Sequence, residues 1–201
     1  MTYPDFFDQV PSILLYDPLA EFLGALESGI VEITYLDCVK LAGHSCPTVA
    51  GAYLMAKMGL QELFGEELPV RGEIEVLIRG RKGEGVNGVI GTLIAFICGV
   101  NDEAGFKGIG GRFSRANKLH YGVEELKGEV GLRSLTTGKS VTLSYDPSPV
   151  PPDPAMRELM AALQQGRGGD EEIKEFRRLW QERVAKILLN RELWDRLVTI
   201  S

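Results

Sequence analysis

The sequence predicts an α+β fold: a mixed antiparallel sheet packed with helices, followed by a helical C-terminal tail. Three observations carry this expectation. Stretches of period-two alternation, such as Glu73-Ile74-Glu75-Val76-Leu77-Ile78-Arg79, sit among stretches of helical period without a regular βαβ rhythm. A run from Asp146 to Pro154 holds five prolines in nine residues, which can sustain neither a helix nor an interior strand. Beyond it, Ile173, Phe176, Leu179, Trp180, Val184, Ile187 and Leu188 recur at helical spacing opposite a charged face. The chain therefore divides into a domain over 1–145, an extended linker over 146–154 and a helical extension over 155–201.

Each element has a local reason. Residues 17–26 read as a first helix. Thr34-x-x-Asp37 has the form of a capping box, opening a short helix that Gly43 can end. Pro47 suits the first position of the next helix, which makes Cys46 its N-cap. That helix runs to about Gly65, with Val49, Ala52, Tyr53, Ala56 and Leu60 near one face. Gly51 and Gly59 lower its intrinsic propensity and mark close packing. Residues 73–79 form a half-buried strand. Residues 86–99 are apolar all round, as in a buried helix. A glycine-rich loop over 105–111 follows, then a strand through 113–121. Strands near 129–135 and 140–145 flank Thr136-Thr137-Gly138-Lys139 and read as a hairpin. In the tail, Asp170 caps one long amphipathic helix, whose stripe must be buried on its own domain or on a second copy of the chain.

Composition narrows the function classes. With 44% hydrophobic and 25% charged residues the chain can build one compact core. A formal net charge of −6, with no cationic patch, argues against nucleic acid and anionic membranes as partners. The longest apolar stretch, 86–100, is interrupted by Asn87, Gly88, Gly91 and Thr92, and a bilayer span needs roughly 20 apolar residues. The start of the sequence lacks the basic and apolar segments of a signal peptide. Three cysteines make no disulfide framework in a chain of 201 residues, so a reducing, cytoplasmic setting is expected.

His44-Ser45-Cys46-Pro47 is the most informative segment. It connects two helices, with Cys46 at a helix N-terminus, where free N–H groups and the helix dipole favour a thiolate. An imidazole two residues away adds a second soft-to-borderline donor, the combination that zinc and other late transition metals prefer. Read from spacing alone, a His-x-Cys pair is weak evidence and is more often a structural accident than a metal site.

The segment Leu41-Ala42-Gly43-His44-Ser45-Cys46-Pro47-Thr48-Val49-Ala50-Gly51-Ala52-Tyr53 resembles the Gly-His-x-Cys-Pro signature of the E-type component of formylmethanofuran dehydrogenase and its family. Residues 88–111 are similar to that family's later apolar helix and glycine-rich loop. The resemblance implies an α+β domain, a homodimer, and a site for zinc or another divalent transition metal, with His44 and Cys46 as ligands. The sequence departs from the pattern in two places. Ala42 stands where family members commonly have a second histidine, and no Cys-x-x-Cys ribbon follows. A stand-alone member is therefore expected, supporting redox or one-carbon metabolism.

Other residues complete the set of candidates. Cys98, ending the apolar helix, is the third metal-ligand candidate, although a buried free cysteine also serves simply as a small apolar residue. Cys38, six residues before His44, reads as packing, and His120 faces either the metal or water. Lys107, Gly108, Gly110 and Arg112 form a candidate ligand-binding element, whose backbone N–H groups and two cations suit an anionic small molecule. Two alternatives stay open at this point: a metal-dependent hydrolase with Asp37, Asp102 or Glu103 as general base, and a structural zinc module that pairs two copies of the chain.

Overall fold

The computed structural model describes residues 2–201. Its architecture is α+β, with a two-stranded and a five-stranded sheet. A 3₁₀ turn at Asp5–Gln9 leads into β1 (Ile13–Tyr16) and α1 (Pro18–Phe22). The Asp17 carboxylate caps α1 by accepting the N–H groups of Leu19 and Ala20. This helix is shorter than the sequence suggests, because Gly24 and Gly29 take positive φ angles and turn the chain into β2 (Ile30–Ile33). β2 pairs antiparallel with β1.

α2 (Tyr35–Ala42) opens on the expected capping box: Thr34 and Asp37 bond reciprocally, and Gly43 closes the helix in the left-handed region at φ 75°. α3 (Pro47–Phe64) follows at once, and every residue from Val49 to Ala56 is buried. No single face of α3 is apolar because the helix is surrounded: it packs on α2, on α4 (Asn87–Cys98), on α6 (Asp170–Leu189) and on the larger sheet.

That sheet contains β3 (Ile74–Ile78), β4 (Leu119–Tyr121), β5 (Val130–Ser134), β6 (Ser140–Tyr145) and β7 (Val198–Ile200), in the order β4-β3-β5-β6-β7. β3 and β4 run parallel, and the other pairs are antiparallel. Ile74, Val76 and Ile78 point into the core while Glu75 and Leu77 stay half-buried, as their alternation requires. Gly51 and Gly59 mark where α3 meets the sheet. A Cβ on Gly51 would run into the Tyr145 ring, and one on Gly59 would stand 2.8 Å from Leu132.

Two expectations need correction. The strand anticipated over 113–121 is confined to Leu119–Tyr121, because Phe113 and Asn117 adopt positive φ and bend the backbone before it. The long tail helix begins after Gly169, whose N–H bonds to the Glu172 carboxylate, so Asp170 is its first residue and not its cap.

Between β6 and the tail, the proline run is not the extended linker expected over 146–154: it turns at Pro147–Val150, where the Val150 N–H bonds to the Pro147 carbonyl at 3.0 Å, and Val150, 4% exposed, belongs to the core. Its carbonyl accepts the Arg183 Nε–H at 2.8 Å. α5 (Ala155–Gln164) packs on α6, and α6 stops at Asn190. A 3₁₀ turn at Arg191–Leu193 and α7 (Trp194–Leu197) then lead to β7, so the helical tail also supplies a strand. Val184, Ile187, Leu188, Leu197 and Val198 join the same apolar core as α3 and the sheet. Among the described residues, no helix is long and apolar enough to cross a membrane.

Candidate metal centre

The His44-Ser45-Cys46 turn is held by its own sequence and by two distant elements. Left-handed Gly43 releases the chain from α2. Cys46 is the N-cap of α3, as expected, with its Sγ accepting the Val49 N–H at 3.5 Å and Pro47 at the first helical position. His44 is exposed, and its Nδ1 lies 3.0 Å from the Ala42 carbonyl, which leaves Nε2 as the outward-facing donor.

Ser45, between the two candidate ligands, is the anchor of the turn. The Tyr35 hydroxyl donates to Ser45 Oγ at 3.0 Å, and Oγ donates to Gln181 Oε1 at 3.0 Å. The Trp180 indole N–H donates to the Ser45 carbonyl at 2.8 Å. Tyr35 comes from α2; Trp180 and Gln181 come from α6. The tail therefore pins the motif at Ser45 and fixes its backbone.

Tyr145 lies against Gly51 one turn further along α3, and its buried hydroxyl has no hydrogen-bond partner among the described residues. Burial raises its pKa, with the nearby Arg183 guanidinium opposing, so the phenol stays neutral.

The other thiols have different surroundings. Cys98 ends α4 as expected and is wholly buried, and burial pushes its thiol up to about 12 although Arg71 opposes the shift. Cys38 is also buried, with its thiol pushed up to about 12 by burial and by the Asp37 charge. Cys46 alone is partly accessible. Among the described residues, no three His, Cys, Asp or Glu side chains gather as a metal-binding group. His44 and Cys46 thus share one turn, and Cys98 does not complete a triad with them.

The end of α4 beside Cys98 is occupied by a buried ionic cluster that sequence reading missed. Asp17, 4% exposed, pairs with Arg71 at 3.1 Å and with Arg115 at 2.5 Å. Arg71 also donates to the carbonyls of Phe96 and Ile97, and Arg115 donates to that of Gly99. Two guanidinium groups thereby satisfy the last carbonyls of α4, at the negative end of its dipole. No local pattern signals this, since the three residues are spread over nearly a hundred positions.

The glycine-rich loop is a self-contained turn. Ile109 and Arg112 exchange backbone hydrogen bonds at 2.9 and 3.0 Å. Gly108, at φ 93°, passes so near the Arg112 carbonyl that a Cβ there would collide with it. Gly110 also takes a positive φ. Lys107 donates to the Glu103 carbonyl, and the Arg112 guanidinium lies 4.6 Å from the centre of the Phe113 ring. Both cations are thus engaged within the loop. His120 is on β4, 3.2 Å from Glu75, which is further paired with Arg133. Asp102 pairs with Lys82 at 3.0 Å, and Asp37 is committed to the α2 cap.

Compared with known protein families, curated proteins and solved structures, the chain finds no match.

Proposed function

We propose that this chain is a transition-metal-binding protein, with zinc as the preferred ion and His44 and Cys46 as its protein ligands, acting in support of redox or one-carbon chemistry as a stand-alone homodimer. One observation carries the reading: an exposed imidazole and the only accessible thiol occupy a single turn whose backbone is pinned at Ser45 from two sides. A nitrogen donor and a sulfur donor on a rigid turn suit zinc and late transition metals. Because only two protein donors share the turn, coordination positions remain for water or a substrate, which favours an exchangeable site over a closed structural one. Bound there, the ion would supply Lewis acidity and a polarised water. The protein's part is to hold the two donors, and the Ala42 carbonyl orients the imidazole.

The test is elemental analysis of the full chain, purified without added metal and again after zinc loading and desalting. About one zinc per chain is expected, with loss in the His44→Ala/Cys46→Ala double variant. Metal retained at full level by a folded double variant would refute the assignment.

A further inference from the structure

A cavity of about 610 Å³ opens between α5, α6, the proline run and the first turn of α3, and the metal reading makes no use of it. The volume falls in the range of small-molecule sites, about 300–1,000 Å³. Its walls are apolar: Met156, Met160 and Ala161 from α5, Trp180 from α6, and proline rings at 47, 152 and 154. Trp180 is a rigid wall because its N–H is committed to Ser45. The methionines opposite are the adaptable side, since an unbranched thioether reshapes easily around a ligand.

The polar groups at the cavity carry a sign. Arg157 and Arg183 line it, and Asp153 is the one carboxylate that does. Asp153 already accepts the Ala155 N–H at 2.9 Å. Arg183 is steadied through Nε by the Val150 carbonyl. Among the described residues, its terminal nitrogens and the whole Arg157 guanidinium have neither a hydrogen-bond partner nor an ion-pair partner, and both groups stand at the same apolar cavity. Two free guanidinium groups in a chain of net charge −6 make a local site for an anion. A neutral hydrocarbon would fill the walls and leave that charge unused; a fully polar anion would leave the walls wet.

We propose that this cavity binds a small amphipathic carboxylate, its apolar body between Trp180 and the two methionines and its carboxylate on Arg157 and Arg183. The site is separate from the metal ligands, and its test does not depend on them.

The probe is 2-naphthoate, titrated calorimetrically into the full chain after chelator treatment, beside the neutral 2-naphthylmethanol. Saturable binding of one naphthoate per chain is expected, at least tenfold tighter than the alcohol. Arg157→Gln and Arg183→Gln should each weaken naphthoate by about tenfold, the scale of a lost charged hydrogen bond, and leave the alcohol unchanged. Met160→Trp, which fills the cavity, should abolish both. Equal affinity for the two probes, absence of saturable binding, or full naphthoate affinity in folded Met160→Trp would each overturn the proposal. Should Met160→Trp fail to fold, exposed Arg157→Gln decides: unchanged naphthoate affinity there rejects the site.

Discussion

The Trp180 indole N–H reaches the Ser45 carbonyl at 2.8 Å across 135 positions of sequence, joining the tail to the residue between the two proposed metal ligands. The Gln181 amide stands at 3.5 Å from the same carbonyl and is a poor replacement. Trp180→Phe keeps the aromatic bulk and removes the donor. It should cost about 1 kcal/mol of stability, the usual net value of one hydrogen bond. It should also loosen zinc retention, because Ser45 sets the positions of His44 and Cys46. Urea unfolding reads the first effect, and zinc competition against a chromogenic chelator reads the second.

Asp17 gives the largest expected stability loss. Asp17→Ala leaves Arg71 and Arg115 facing each other at the end of α4 without their shared counter-ion, a change worth about 3–5 kcal/mol for a buried pair. The wild-type chain should show the same cluster in its acid titration. Burial alone would raise the Asp17 pKa, but the Ala20 N–H and the Arg115 and Arg71 guanidinium groups outweigh it and hold the carboxyl below its usual 3.8. The unfolded chain therefore takes up this proton first as pH falls. The contribution is fully present above 3.8 and disappears as pH drops through the lower, folded value. Urea midpoints measured between about pH 5 and pH 2 should fall, and Asp17→Asn should flatten part of that slope.

Much of the fold follows from short-range rules that residues obey wherever they occur. The Thr34–Asp37 box, left-handed Gly43, the Cys46–Pro47 start and the 130–145 hairpin each depend on a few neighbours, so local chemistry specifies them. The turn that carries His44 and Cys46 was legible for that reason. What pins it was not: the stripe holding Trp180 announces a buried helix face without saying which segment it meets. Phe113 misleads for a related cause. Its aromatic side chain suits a strand, whereas the neighbouring glycines and the Arg115–Asp17 pair fold the segment into a bend, and Asn117 adds a second positive φ, a conformation that asparagine tolerates.

Packing of α3 on the sheet predicts a coupled pair of substitutions. Gly51→Ala drives a methyl into the Tyr145 ring and should destabilise by about 1–3 kcal/mol, as overpacking does. Shrinking the ring in Gly51→Ala/Tyr145→Leu should recover part of that loss, so the two changes will sum to less than their separate effects. A thermal-unfolding double-mutant cycle measures the difference.

The three cysteines should separate cleanly by reactivity. Cys46 is partly accessible, while Cys38 and Cys98 are buried with thiols pushed up to about 12 by that burial. Brief alkylation at about pH 7.5 followed by mass mapping should label Cys46 first in chelated protein, with zinc slowing it at least about tenfold. Labelling of Cys38 or Cys98 ahead of Cys46 contradicts the placement of α3, and equal labelling of Cys46 with and without zinc removes it as a ligand.

The long span between Ser45 and Trp180 also has a meaning in time. Ribosomes add about 5–20 residues each second, so roughly 7–27 s separate synthesis of the His44–Cys46 turn from that of the helix that pins it. The parts of the turn that come from Gly43, Cys46 and Pro47 are local and need no later segment. A nascent chain accordingly displays both donors on a turn that α6 does not yet pin, so metal uptake at the proposed site does not have to wait for the tail to reach Ser45.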